Sequence, residues 1–424
     1  ENTAVEVFFS VDVAACAKSL VRNSDSEVIE VIVSAADQLT QIKEKTKLII
    51  SYGYAELEVT EVKERSAATL SLVCVVKQDG VIESGMDLHS QHISRSLFPL
   101  IAEDKEALES KFDHLGDYII LDGLQSEEEL QIIKRVFVGE KNKVSSRHPS
   151  VPINDDVLES ETILNPRFLL KIDSKASLDL FPKVISSVDG VLLSRAELGL
   201  DVFPHDLPIL QKDIVAECKR NGKMIAIASE LMFSMRNNPN PTRAEVSDVA
   251  NAVADGCDAL VLPHEITQAP HAQLVAEVSQ DVLEQAEAWQ QTKWNFDFFS
   301  KNPNDDDLVI YGALRIASEA KVKCIVCFTE GGYTAFKLSA MRTPTPIVAL
   351  THNKRIMKQL SLLHSVFPVV LSRQLAVEKL LNHSKEILLD KFNFKKGDKF
   401  VFISLTSSSV SARNSNLFTL QEID

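Results

Sequence analysis

The chain has 424 residues, 45% of them apolar and 25% charged, the composition of a globular protein with two or three domains. Asp and Glu number 60 against 45 Lys and Arg, and the net charge of −15 argues against nucleic acid or an anionic membrane as the main partner. Local cations or a metal still leave phosphorylated substrates open. Six scattered cysteines form no disulfide-like framework and point to a reduced, cytoplasmic setting, and no apolar run approaches a membrane span.

From Thr3 to about Leu88 the pattern is short and alternating. Val5–Phe9, Lys47–Ile50, Glu56–Val59 and Leu70–Val76 read as strands, with turns at Tyr52-Gly53-Tyr54 and Gln78-Asp79-Gly80. This predicts a small β-rich module. From about Leu97 the period lengthens. Asp104–Leu115 reads as a helix, Tyr118–Leu121 as a strand and Glu127–Val136 as a helix, while Lys141–Pro166 is polar and reads as a loop. Short apolar runs then recur at Phe168–Ile172, Gly190–Leu193, Met224–Ala228 and Ala259–Leu262, with helical segments between them. Apolar strands alternating with helices predict a parallel sheet covered on both faces, and a barrel is one way to close it.

After a helical stretch at Val275–Thr292, a third unit starts near Asn304, with strands at Cys324–Phe328, Pro346–Leu350, Phe367–Leu371 and Lys399–Ser404. It reads as an open α/β sheet. Cys324 and Cys327 form a C-x-x-C inside an apolar run with no second such pair, so they are read as core rather than as a redox or metal site. The predicted fold is therefore α/β. It has a β-rich module over 1–90, a parallel (β/α) portion over 91–303 and an open α/β domain over 304–424.

Polar residues stand at the ends of the barrel strands. Lys171 and Asp173 end one, Arg195 and Glu197 follow the next, Ser229 and Glu230 the third, and His264, Glu265 and Thr267 the fourth. Parallel barrel strands gather such ends on one rim. Two carboxylates there can share a divalent cation, and a lysine beside them can neutralise phosphoryl oxygens or carry a proton. The same row also fits ordinary loop starts, and the pattern alone leaves both readings open.

The wording narrows the choice. Leu170-Lys171-Ile172-Asp173 resembles the K-I-E of pyruvate kinases, and Ser194-Arg195-Ala196-Glu197-Leu198-Gly199 resembles their A-R-G-D-L-G. Pro241-Thr242-Arg243-Ala244-Glu245, continuing through Ser247–Val253, is similar to their P-T-R-A-E-x-S-D-V-A-N-A-V, a long and specific match. Ala228–Met235 resembles A-T-Q-M-L-E-S-M, Gly85–Leu88 the exit from the family's lid, Thr329–Ala335 its T-x-S-G-R-S-A effector turn, and Phe367-Pro368-Val369 the F-P-V that follows. The resemblance implies that Lys171 is the transfer lysine, Asp173 and Glu197 the Mg²⁺ ligands, and Ser229 the stand-in for a substrate-side threonine. It further implies substrate contacts at Arg195, Ala196 and Lys111, a nucleotide-side remnant at Glu265 and Gln268, and an effector-turn remnant at Thr329 and Thr334.

Several positions depart from that pattern. The two metal carboxylates are exchanged in length, Asp173 for Glu and Glu197 for Asp, and Ala196 replaces a glycine that lets backbone amides approach the substrate. Gln268 replaces the lysine expected at nucleotide phosphate, and Pro263–Ala269 otherwise reads as a solvated loop. Asp122 and Gln125 stand where the family has Ser and Arg. Glu330, Gly331 and Ser407–Ser411 lack the features of an effector pocket, so no sugar bisphosphate is expected there.

The family's opening motifs C-T-I-G-P, R-x-N-x-S and D-T-K-G-P-E-I-R do not occur in the chain, which opens on Glu1 rather than Met. The resemblance thus implies a β-rich lid over 1–90 and a partial TIM-type (β/α) barrel over 91–303, which an upstream segment, or another chain, is expected to complete, supplying any K⁺ site. Two functions follow from the resemblance. The favoured one is a catalytically impaired paralogue that acts by assembly, as a homo- or hetero-oligomer with pyruvate kinase paralogues or in a larger structure. The other is an active, diverged enzyme of glycolysis that moves phosphate from phosphoenolpyruvate to ADP with Mg²⁺.

Overall fold

The structure, a computed structural model, describes residues 4–10, 28–32, 42–50, 55–65, 69–78, 88–89, 116–138, 166–228, 230–291, 305–371, 377–404 and 417–424. It divides into two compact units, one of residues 1–99 with 196–204 and one of 100–195 with 205–424. The expected helix at Asp104–Leu115, the loop over 141–165 and the turns at 52–54 and 79–80 lie outside the described residues.

The first unit carries a six-stranded sheet. Its strands are β1 (Ala4–Ser10), β2 (Val28–Ile32), β3 (Lys47–Ile50), β4 (Ala55–Arg65), β5 (Thr69–Gln78) and β6 (Leu88–His89), in the order β2-β1-β5-β4-β3-β6. Pairing is antiparallel except between β1 and β2. Alternation along β3, β4 and β5 sends Leu48, Ile50, Leu57, Val59, Leu70, Leu72 and Cys74 into one core with Ile42. β2 is an element that the expected strands do not include.

The second unit holds two sheets. The first is parallel: β7 (Tyr118–Leu121), β8 (Arg167–Ile172), β9 (Gly190–Ser194), β10 (Met224–Ala228) and β11 (Ala259–Val261), in spatial order β11-β10-β9-β8-β7. Every residue of β9 and β10 is buried, as a strand covered on both faces requires. The two outer strands differ: Ile120 on β7 is 50% exposed and Val261 on β11 is 43% exposed. Gly190 is forced by close approach, because a Cβ there would lie 2.5 Å from the Met224 side chain and 2.7 Å from its carbonyl oxygen. The helices between and after these strands are α1 (Glu127–Val138), α2 (Lys175–Val184), α3 (Arg195–Asp201), α4 (Leu207–Arg220), α5 (Arg243–Asp255), α6 (His264–Thr267) and α7 (Ala272–Gln291). The one-turn α6 corrects the solvated-loop reading of Pro263–Ala269. Ile266 is buried among Met232, Met235 and Val275, so an apolar anchor closes the turn.

The second sheet runs β14-β13-β12-β15-β16, with β12 (Cys324–Phe328), β13 (Ile347–Thr351), β14 (Val366–Val370), β15 (Lys399–Ser404) and β16 (Leu417–Glu422). β16 joins β15 antiparallel and the other pairs are parallel. Its helices are α8 (Asp305–Glu319), α9 (Tyr333–Ala340), α10 (Lys354–Leu360) and α11 (Val377–Lys391). β12 is central, and its residues alternate between two cores. Cys324 and Val326 enter one, Ile325 and Cys327 the other. The two cysteines thus face opposite sides of the sheet and cannot share a ligand, and burial pushes both thiols up to about 12. The core that takes Ile325 and Cys327 also takes Leu169, Leu192, Met224 and Ala226 of the first parallel sheet, so one apolar cluster joins both sheets.

Candidate active site

β8 delivers the central side chain. Arg167 to Ile172 are mostly buried, and Lys171 emerges at the C-terminal end with a side chain only 12% exposed. Its Nζ lies 2.9 Å from Asp122 Oδ2 and 3.5 Å from Asp173 Oδ2. Asp122 follows the end of the neighbouring strand β7, so two parallel strand ends bring both carboxylates to one ammonium. Asp173 is 8% exposed, and its Oδ1 accepts a hydrogen bond from Ser177 Oγ at 3.2 Å. Ser177 belongs to the first turn of α2. Ser174, the N-cap, accepts from Ser177 N, and the pair completes a reciprocal capping box. The backbone N–H of Asp173 also donates to Ser177 Oγ at 3.1 Å. Asp173 is therefore fixed by the cap of the helix that follows it.

Arg195, at the start of α3, pairs with helix α5. Its guanidinium donates to both oxygens of Asp248 at 2.6 and 2.7 Å, and to Gln211 Oε1 at 3.4 Å. Gln211 in turn donates to Asp255 at 2.8 Å. This two-pronged ion pair ties β9 to α5. α5 is the helix of the Pro-Thr-Arg-Ala-Glu motif, whose residues have a visible structural task. Thr242 caps the helix, and Glu245 reaches back to Thr242 N at 2.8 Å. Glu245 also takes Ser234 N at 2.7 Å and Ser234 Oγ at 2.5 Å. Burial alone would push the Glu245 carboxyl up, but the hydrogen bonds from Ser234 and Thr242 outweigh it and hold the group below the usual range. The loop after β10 is thereby pinned where Glu230 and Met232 adopt left-handed backbone, at φ 58° and 54°.

Glu265 and Gln268 sit on and just after α6. Glu265 meets His264 at 3.3 Å, and Gln268 is exposed at the helix end. The Gln125 N–H donates to Glu129 Oε2 at 2.8 Å and its side-chain amide to Gly123 O at 3.2 Å. Glu197 and Ala196 belong to the first unit, on α3. Ser229 and Lys111 lie outside the described residues, as does Ser407–Ser411.

The turn after β12 is closed by protein groups. Thr329 and Thr334 are buried, and Thr329 N donates to Leu350 O at 3.0 Å. Arg167, at the other end of β8 from Lys171, donates to the Gly331 carbonyl, to Asp189 Oδ1 at 2.8 Å and to Gln359 Oε1 at 3.1 Å. Its guanidinium also stacks 4.2 Å from the Phe336 ring centroid. At Gly332, φ is +87° and a Cβ would fall 2.8 Å from Arg167, so only glycine fits beneath it. Asp122 as a partner of Lys171, Ser177, Asp248 in its pairing role and Arg167 are the residues that the sequence pattern does not assign. The available signal for Asp122 is its place one residue past a strand.

A family profile described as the barrel domain of pyruvate kinase matches residues 3–272, and one described as the alpha/beta domain of pyruvate kinase matches residues 307–418. The chain belongs to the pyruvate kinase family. It is 24% identical over 404 residues to the pyruvate kinase of Clostridium acetobutylicum, covering 92% of this chain and 78% of that protein. The Staphylococcus saprophyticus pyruvate kinase is 24% identical over 372 residues, and there the match covers 87% of this chain but 59% of the relative's length. Among solved structures, Cryptosporidium parvum pyruvate kinase in complex with ADP superposes with a TM-score of 0.79 at 20% identity, over 100% of this chain and 79% of that one. At that identity the likeness shows the fold.

Pyruvate kinases generally depend on Mg²⁺ and K⁺. Magnesium needs near-octahedral oxygen ligands at about 2.0–2.1 Å and keeps several waters. In this pyruvate kinase-family chain, such an ion at Asp173 meets an ammonium already in place. Oδ1 takes the Ser177 hydroxyl and Oδ2 faces the Lys171 ammonium. As arranged, Asp173 with the Lys171 ammonium beside it does not fit a hydrated Mg²⁺. Among the described residues, no group of three or more His, Cys, Asp or Glu side chains is placed to hold a metal.

Proposed function

We propose that this pyruvate kinase-family protein is catalytically impaired and acts through its fold, as a subunit of a homo- or hetero-oligomer with pyruvate kinase paralogues or of a larger cytoplasmic assembly. The observation that carries the reading is the pairing of Lys171 with Asp122 and Asp173. In phosphoryl transfer there is little covalent work for the protein to do, so positioned cations supply most of the catalysis. An ammonium already held by two carboxylates has less charge to lend to a phosphoryl oxygen. The pairing of Arg195 with Asp248, and the neutral Gln268 in place of a lysine, point the same way. Division into a lid over 1–90, a barrel portion over 91–303 and a C-terminal domain over 304–424 belongs to the same proposal.

A second reading is supported by what is kept. Lys171 and Asp173 still stand at the C-terminal end of a barrel strand, with Glu197 and Ser229 as their expected companions. On that reading the protein moves phosphate from phosphoenolpyruvate to ADP. A lactate dehydrogenase-coupled assay on the full-length protein, with Mg²⁺ and K⁺ present, separates the two. No pyruvate formation above that of Lys171→Met is the expected result. Turnover that disappears in Lys171→Met would establish the second reading.

A further inference from the structure

We infer that Lys171 is the resident cation of this site, an internal ammonium that takes the place of a divalent metal at Asp173. This deepens the reading above by giving a chemical reason for the impairment, but it concerns metal binding and not turnover. Three observations carry it. The Lys171 Nζ lies within ion-pair distance of two carboxylates that arrive from adjacent strands, Asp122 at 2.9 Å and Asp173 at 3.5 Å. The lysine and Asp173 side chains are 12% and 8% exposed, so water does little to screen them. The Asp173 backbone is held by Ser177 Oγ at 3.1 Å, and that hydroxyl, shared between Ser174 O at 2.9 Å and Asp173 Oδ1 at 3.2 Å, is fixed by the cap of α2.

The charge logic is simple. The buried Asp173 carboxylate needs a cation beside it, which either a metal or an ammonium can supply, and Asp122, 43% exposed, approaches the same ammonium from the solvent side. A metal can be removed by a chelator, whereas a lysine stays with the chain. With the ammonium in place, an incoming divalent ion meets a positive charge at Asp173 Oδ2. Asp122 matters most, because it brings a second negative charge to the lysine and so holds the ammonium over Asp173. The fold keeps the electrostatic balance of a metal site without the metal.

The test uses the full chain and Mn²⁺ as the probe, followed by electron paramagnetic resonance and by thermal unfolding. Acidic surfaces bind Mn²⁺ weakly, so the signal is the part of the isotherm that depends on Asp173. In the wild type, Asp173→Asn is expected to leave the isotherm unchanged. Lys171→Met keeps the apolar stem but removes the charge. It is expected to lower the melting temperature, to recover it on addition of Mn²⁺, and to bind the ion at least roughly tenfold more tightly than the wild type, the change that about 1.4 kcal/mol brings. Adding Asp173→Asn to Lys171→Met should abolish both the recovery and the binding. A wild-type Mn²⁺ site that disappears with Asp173→Asn overturns the inference, and this arm needs no lysine variant to fold. A Lys171→Met protein that melts like the wild type and ignores Mn²⁺ overturns it too. The outcomes are independent of the coupled assay: an inactive protein that binds Mn²⁺ through Asp173 refutes this inference alone, and an active one that does not refutes only the proposed function.

Discussion

Lys219 and Asp258 form an ion pair with side chains each 1% exposed, and Asp258 Oδ2 also accepts Ile225 N at 2.8 Å. Removing one partner of such a pair leaves a buried charge without its counter-ion, at a cost of about 3–5 kcal/mol. Lys219→Met should therefore lower the unfolding free energy by about that much in urea titration, and Lys219→Met with Asp258→Asn should recover much of it. A single variant within about 1 kcal/mol of the wild type would contradict this account. His364 makes a second case. Burial pushes its pKa down to about 3, and the cations Arg342 and Lys219 add to the effect while Asp258 opposes it. Glu287 approaches at 3.5 Å, yet burial raises that carboxyl, so the contact does not charge the ring. A free histidine titrates near 6.5, so the unfolded chain takes up a proton at a pH where the folded one does not. This contribution is present in full above about pH 6.5 and is lost as pH falls towards about 3, by up to about 1.4 kcal/mol per pH unit. His364→Gln should show a shallower loss of stability than the wild type between pH 6.5 and 5 in equilibrium unfolding. At this scale the sequence displayed Lys171 and Asp173, because strand ends mark themselves by a change from apolar to polar. It did not display the Asp122 pairing, since contact across 49 residues depends on which strands become neighbours.

The helix α5 shows what a motif is for. Thr242 and Glu245 exchange hydrogen bonds at its N-terminus, Gly256 ends it at φ 111°, and Asp248 holds Arg195 between those ends. Thr242→Ala should cost about 1 kcal/mol, the ordinary worth of an N-cap. Glu245→Ala should cost more, because it also releases Ser234 and with it the left-handed turn after β10. Differential scanning calorimetry of the two variants checks the order, and a Thr242→Ala loss exceeding that of Glu245→Ala would reverse the argument. The barrel strands β8 to β11 and the strands β12 to β15 were legible because each is a compact apolar run between helices, and β9, β10, β12 and β13 are buried on both faces. β2 and β16 were not. β2 carries a charged residue within five, and β16 has Thr419, Gln421 and Glu422 on an outer strand that needs only half a cover. α6 was missed because four residues are too few to show a helical period.

Within the second unit, Arg342 locks the two sheets' helices together. It is buried, sits at φ 51°, and donates to Cys257 O at 2.9 Å, Val253 O at 3.3 Å and Gln290 Oε1 at 3.1 Å. The acceptors are the end of α5 and a residue of α7, while the donor follows α9. Arg342→Ala strips buried carbonyls of their partner, so hydrogen exchange should quicken at Val253–Cys257 ahead of β12. Equal protection at both places would mean that the apolar cluster alone joins them. The outer strands β7 and β11 have a different consequence, a colloidal one. Each leaves a half-exposed aliphatic residue, Ile120 or Val261, on a parallel sheet, while the whole chain carries a net charge of −15. Dilute buffer lets that charge keep copies apart, and the repulsion fades once salt shortens its range to about 8 Å or less. The molecule should therefore stay dispersed at low ionic strength and begin to cluster as salt rises, the reverse of a protein held together by surface ion pairs.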